Sequence, residues 1–302
     1  MKKTKIKQMA SDYQLYIMLI PFVLYFALFV YRPMGGLIIA FKDYSVYKGI
    51  FGSPWVGLDN FKVFFESPYF FRLIRNTLLI STYGLVINFP ATIILALLLN
   101  EVTMKKYKSV VQTCTYLPHF ISTVVIAGIV TSFLAPSNGL INLIIEAFGG
   151  DKVYFLSKAK YFRMIYTLMG MWQGTGYGSI VYIAALAGID QQLYEACMLD
   201  GGGKIRQLWH VTLPGILPTI VIMLIIQIGR IMNVGYETII LLYQPATYET
   251  ADIISTYVFR TGMEQGNYSL AAAVGLFNSV IGFALVMGAN KLSNKVTGSG
   301  LW

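Results

Sequence analysis

Along the 302-residue chain, long apolar runs alternate with short polar connections. A helix crosses a bilayer core with about 20 apolar residues, and six runs meet that length. They cover residues 13–31, 74–99, 110–134, 161–187, 215–242 and 270–290. The pattern predicts an all-α membrane protein with six transmembrane helices over residues 13–290. A lead (1–12) and a tail (291–302) flank them. The connection over 32–71 holds Pro33, Pro54 and Pro68 and is expected to lie across one face without forming a domain. The short apolar run over 140–148 suits an interfacial helix rather than a span.

Basic residues then set the orientation. Lys2, Lys3, Lys5 and Lys7 precede the first run, and Lys105, Lys106 and Lys108 crowd the short connection after the second. Short basic connections stay in the cytoplasm, so both termini and the fourth-to-fifth connection belong there. No small-residue cleavage site ends the first run, which therefore reads as an uncleaved span. Composition agrees with a multi-pass protein of a plasma membrane: 56% hydrophobic, 12% charged, mean hydropathy +0.62. The net charge of +9 is spread over connections and ends, without the basic helix face or zinc-ligand spacing of a nucleic-acid binder. Such charge orients the chain and meets anionic lipid. Cys114 and Cys197 form no disulfide framework and read as reduced packing residues.

The fourth-to-fifth connection, 188–214, is the most informative stretch. Helical runs over 191–199 and 204–211 flank Gly201-Gly202-Gly203, where the chain should turn. Glu195, Ala196, Gly201, Leu213 and Pro214 stand in the register Glu-Ala-Ala, three residues, Gly, nine residues, Ile, one residue, Leu-Pro. Cys197 and Val211 are small departures from it. This segment resembles the EAA loop of the membrane-spanning subunits of ABC importers. With Trp209-His210 before the Leu-Pro, the chain resembles the oligosaccharide-uptake branch of carbohydrate-type importers, similar to the maltose transporter. The resemblance implies a type I importer permease in the bacterial cytoplasmic membrane, paired with a second related permease. It also implies two cytosolic ATP-binding subunits and an extracellular solute-binding protein. In such a family, Glu195, Ala196, Asp200, Gly201, Leu213 and Pro214 belong to the helical segment that docks on the ATPase. Glu195 meets a basic residue there, and Pro214 opens the next span. A permease for a non-sugar solute and an ion-coupled secondary transporter are the alternatives.

Catalytic chemistry finds no footing. Gly203-Lys204 is followed by Ile205, not by the hydroxyl residue of a phosphate loop, so ATP and magnesium belong to the partner ATPase. His119 and His210 lack ligand-spaced companions, and no nucleophile elbow occurs.

In the fifth run Gln227, Arg230, Asn233 and Glu237 are spaced to share one helical face. A mid-bilayer charge costs about 2.5–3.5 kcal/mol, so this stripe either lines a polar path or meets a second permease. Tyr236 beside it suits a sugar path, because aromatic faces and amides hold carbohydrates. In the fourth run Gly170, Gly174 and Gly178 suit close helix packing. Between them Trp172, Gln173 and Tyr177 are candidates for the path or for interfacial anchoring.

Overall fold

The computed structural model describes residues 13–297 and 300, and among these the chain is helical apart from turns and one isolated antiparallel bridge, Lys42 to Trp55. The lead with its four lysines, and tail residues 298, 299, 301 and 302, lie outside the described residues. Among the described residues two compact units emerge, 13–66 with 260–276, and 67–259 with 277–297.

The first unit contains α1, Tyr13–Phe41, whose apolar window has none of its residues buried within the chain. The helix therefore runs ten residues past the expected end at 31, since nothing in Arg32-Pro33 stops it. The connection behind it is structured. Lys42 Nζ donates to the Ile50 carbonyl at 2.7 Å, and the Ser53 hydroxyl accepts from the Ser45 amide at 3.0 Å. Helix α2, Asp59–Phe65, follows. Tyr44 donates its amide to the Ser269 hydroxyl at 2.8 Å. Most of the 32–71 connection clusters with 260–276 in one compact unit, and distant hydrogen-bond partners satisfy its backbone.

The second unit is a helical assembly around α7, Ala159–Ala187. It packs against α3 (Phe70–Glu101), α4 (Lys105–Phe120) and α9 (Lys204–Gly229). Helix α5 (Thr123–Phe133), α6 (Leu140–Ala147), α8 (Gln191–Leu199) and α10 (Tyr236–Leu242) complete it, with α11 (Ile254–Phe259). The final helix, α12, is Tyr268–Thr297. One buried cluster joins Ile80, Ile126, Phe162, Met169 and Ile239, and another joins Ala96, Tyr182, Leu186, Ile189 and Ile216.

Four described helices are long and apolar enough to cross a membrane: α1, α3, α9 and α12. The expected third span is broken, because α4 and α5 meet at a bend of 102°. Pro118 lies in the turn before the break, and Ser122 caps the new helix by accepting from the Val125 amide. Helix α7 has 29 residues, about 44 Å, enough to cross; Arg163, Gln173 and its glycines dilute its apolarity.

Prolines shape these helices in a repeated way. Wide π turns over Phe26–Tyr31, Gly84–Asn88 and Leu208–Thr212 each end two residues before a proline, namely Pro33, Pro90 and Pro214. Proline lacks an N–H and crowds the carbonyl four residues back, which falls inside the π turn each time. The wider turn lets the helix continue. Pro214 accordingly does not open a helix, as expected from sequence; it sits within α9, and the second run of the loop continues into the span instead of ending at Val211.

The glycines of α7 also require correction. Gly170, Gly174 and Gly178 all line a cavity, yet close packing holds at Gly178, where an added carbon would lie 3.0 Å from Thr92 of α3, and fails at Gly174, where it would meet nothing within 4 Å. The tightest approach is at Gly176, where an added carbon would fall inside the Thr115 carbonyl of α4. Cys114 is exposed rather than packed, whereas Cys197 is half-buried.

Candidate translocation cavity and coupling loop

The predicted polar stripe does not share a helical face. Helix α9 ends at Gly229, whose position against Val286 leaves no room for a side chain. The chain then turns through Arg230 and Ile231 and is irregular until α10 begins at Tyr236. A break in a membrane-embedded helix frees carbonyls that need partners. Here the Ser81 hydroxyl donates to the Ile231 carbonyl, and the Asn278 amide donates to the Met232 carbonyl at 3.0 Å. The second break, at Ile121, is held by the Gln173 amide donating to the Ile121 carbonyl at 3.3 Å.

Against the first of these breaks lies a cavity of about 440 Å³. That volume lies in the range of small-molecule sites, about 300–1,000 Å³. Its wall from α3 carries Ser81, Gly84, Asn88 and Thr92; α7 supplies Tyr166, Gln173 and Thr175; the α9–α10 break supplies Gln227, Arg230 and Asn233. Amides, hydroxyls and aromatic rings thus converge with a single charge, Arg230. Asn88 Oδ1 and Thr175 Oγ1 are buried and have no hydrogen-bond partner among the described residues.

Of the stripe, the cavity therefore unites Gln227, Arg230 and Asn233, and adds Gln173. It excludes the other candidates. Tyr236 stacks on Phe259 with ring centres 5.7 Å apart, and Glu237 lies exposed in the first turn of α10. Trp172 is turned by one residue's rotation from Gln173 and lines an apolar cavity with Ile129, Phe133 and Leu168. Tyr177 stacks flat on His119 at 3.9 Å. Sequence reasoning missed Ser81, Asn88, Thr92 and Asn278. A signal was present, because positions 81, 84, 88 and 92 are polar or small at helical spacing inside an apolar run.

The coupling loop is a helix-turn-helix, as its sequence predicts. Asp190 caps α8 by accepting from the Gln192 amide at 2.9 Å. At the other end Gly201 takes φ +74°, the left-handed region that glycine enters without strain. The Gly202 amide donates to the Cys197 carbonyl at 2.8 Å and the Gly201 amide to the Met198 carbonyl at 3.0 Å. This is a Schellman end, and Gly202 lies too close to Cys197 for any side chain. The inner face is anchored: Tyr194 and Thr212 share a hydrogen bond of 3.1 Å, and Ile189 packs on Gly215. Lys204 Nζ meets Glu101 Oε2 at 2.7 Å, tying the loop to the end of α3. The outer face is free within the chain. Glu195, Ala196 and Asp200 are exposed, as are the apolar side chains of Leu199 (88%), Ile205 (75%) and Trp209 (62%). Leu213 is half-buried and Pro214 exposed.

The family described as binding-protein-dependent transport system inner membrane component matches residues 88–297. Protein LplB of Bacillus subtilis (strain 168) is 47% identical over 96% of this chain and 92% of its own. The polygalacturonan/rhamnogalacturonan transport system permease protein YteP of the same organism is 44% identical, covering 100% of this chain and 94% of its own. A crystal structure of a bacterial ABC transporter involved in the import of the acidic polysaccharide alginate superposes with a TM-score of 0.91. It shows 45% identity and covers 97% of this chain and 99% of that one. With this likeness running through both the broken helices and the coupling loop, the chain belongs to the membrane-spanning permeases of binding-protein-dependent ABC importers.

Proposed function

We propose that this chain forms half of the path by which an ATP-driven importer carries an oligosaccharide inward. The observation that carries the reading is the cavity beside the break between α9 and α10. Among apolar and glycine positions its lining carries amide, hydroxyl and aromatic side chains, the chemistry that exchanges hydrogen bonds with sugar hydroxyls. A sugar must be released as readily as it is bound, and water can replace it on such groups. Gln173, Gln227, Arg230 and Asn233 are the path residues in this reading; Trp172, Tyr177, Tyr236 and Glu237 are left out of it.

In the same reading the chain crosses the bacterial cytoplasmic membrane six times, with its termini and coupling loop in the cytoplasm. The exposed face of α8, with Glu195, Ala196, Asp200 and Gly201, docks on one of two ATPases. These hold the ATP and magnesium. Leu213-Pro214 transmits the docking to α9. A second permease completes the path, and an extracellular binding protein delivers the sugar. ATP binding draws the ATPases together, the two coupling loops follow, and the paired permeases open outward; hydrolysis resets them. The two states must contact the sugar differently for this cycle to do work.

The test uses the complete transporter in proteoliposomes. Gln227→Ala and Asn233→Ala should lower oligosaccharide uptake while the complex still assembles. A cysteine placed at 233 in a background free of Cys114 and Cys197 should react with a water-soluble thiol reagent, more slowly when sugar is present. Normal uptake by both variants, with an unreactive cysteine in every nucleotide state, would reduce the cavity to a packing feature.

A further inference from the structure

We infer that the cavity is built for a sugar bearing a carboxylate, held by the Arg230 guanidinium and the Asn233 amide nitrogen. This rests on reading the cavity as the substrate path. Among the residues that line it, Arg230 alone is ionised, and no described carboxylate pairs with it. The end of α9 offsets part of that charge, because a helix carboxyl terminus is worth roughly half a negative charge. A positive excess remains. A neutral sugar would be served by amides and hydroxyls, without the cost of bringing an ion into an apolar surrounding.

Hydrogen bonding fixes which groups face the ligand. Asn278 must present its Nδ2 to the Met232 carbonyl, and the same nitrogen lies 3.0 Å from Asn233 Oδ1. Asn233 is thereby oriented with its oxygen spent and its nitrogen left to donate. The turn over 230–233 thus offers side-chain donors on Arg230 and Asn233, the set a carboxylate accepts. The walls from α3 and α7 offer acceptors. Gln173 spends its nitrogen on the Ile121 carbonyl and keeps Oε1, and Asn88 Oδ1 is unpartnered. Those oxygens suit sugar hydroxyls and disfavour a carboxylate, so the anion has one side to occupy.

The approach to the cavity leans the same way. Within about two helical turns before the cavity lining on α3 and α7 stand Arg72, paired with the Asp252 carboxylate, Arg75, which donates to the Glu249 carbonyl, and Arg163, which donates to Asn76 Oδ1. Arg72 Nε and Arg163 Nε are buried without hydrogen-bond partners.

The experiment compares uronate tri- to pentasaccharides, prepared from polygalacturonan and from alginate, with their full methyl esters and with neutral oligosaccharides. Uptake is measured with the complete transporter in proteoliposomes. Arg230→Gln should lower uptake of the acids by about tenfold or more and leave the esters within about twofold, with Arg230→Lys in between. A second readout removes the binding protein's own selectivity. In the transporter without its binding protein, and without Cys114 and Cys197, labelling of Gly174→Cys should be slowed by free uronate and not by the ester. If acid and ester protect alike, or Arg230→Gln lowers both alike, the carboxylate assignment is overturned while the path reading survives. Uptake of neutral sugars alone would overturn the carboxylate assignment in the same way. If Arg230→Gln and Gln227→Ala change uptake of no sugar, and Gly174→Cys never reacts, the path reading itself fails.

Discussion

The Nδ2 of Asn278 lies 3.0 Å from Asn233 Oδ1 and 3.0 Å from the Met232 carbonyl, so one amide of α12 holds the break between α9 and α10. Asn278 is buried, and its loss would leave that carbonyl without a partner. Asn278→Leu keeps the shape and removes the donor. It should cost about 1–3 kcal/mol, read as a lower Tm of the purified complex. Uptake should fall further than the Tm change explains, because Asn233 loses its orientation. Unchanged uptake with a lowered Tm would confine Asn278 to a stabilising role.

Gly201 holds the left-handed position that ends α8. Gly201→Ala should strain the turn by about 1–2 kcal/mol, and Gly201→Asn by less, since asparagine tolerates that region. The strain is local to the loop. The expected result is weaker retention of the ATPase on purification in the order Gly, Asn, Ala, with normal amounts of permease in the membrane. Equal retention by all three would show that the turn geometry is not what the ATPase reads.

Glu195 is exposed and makes no ion pair among the described residues. Its reversal to arginine should change the stability of the permease by no more than about half a kcal/mol. At an interface with a basic partner the same change sets like charges together, at a cost of several kcal/mol. Glu195→Arg should therefore detach the ATPase or leave hydrolysis running without uptake. Transport at the parental rate would remove Glu195 from the interface.

Two glycines on one helix should behave in opposite ways. Gly176→Ala meets the Thr115 backbone and should destabilise the subunit by about 1–3 kcal/mol, because neither helix can yield without repacking. Gly174→Ala meets open space, and its helix propensity even favours alanine. It should fold normally and alter only uptake, by narrowing the cavity. Thermal melts of both variants in detergent decide the point; equal losses would refute the close approach at Gly176.

Much of the fold was legible in the sequence for a simple reason. A bilayer demands apolar length, and the coupling loop is specified by neighbours in the chain: Asp190 caps α8, and Gly201-Gly202 ends it through bonds to Met198 and Cys197. Local hydrogen bonds and glycine's freedom decide such a motif before any packing does. The register of Glu195, Gly201 and Leu213-Pro214 was readable through its resemblance to the EAA loop. What remained hidden depends on groups far apart in the chain. The stripe Gln227, Arg230, Asn233, Glu237 reads as one face only if the helix continues, and periodicity cannot reveal that Ser81 and Asn278 stand ready to satisfy a broken backbone. The bend at Ile121 likewise rests on Gln173, 52 residues away. By itself the sequence determined the membrane class, most of the helices and the coupling loop, because these follow from composition and near-neighbour bonding. The tertiary structure decided where helices break, and so which polar side chains share a cavity, because a break is tolerable in an apolar surrounding only where another helix supplies the missing hydrogen bonds.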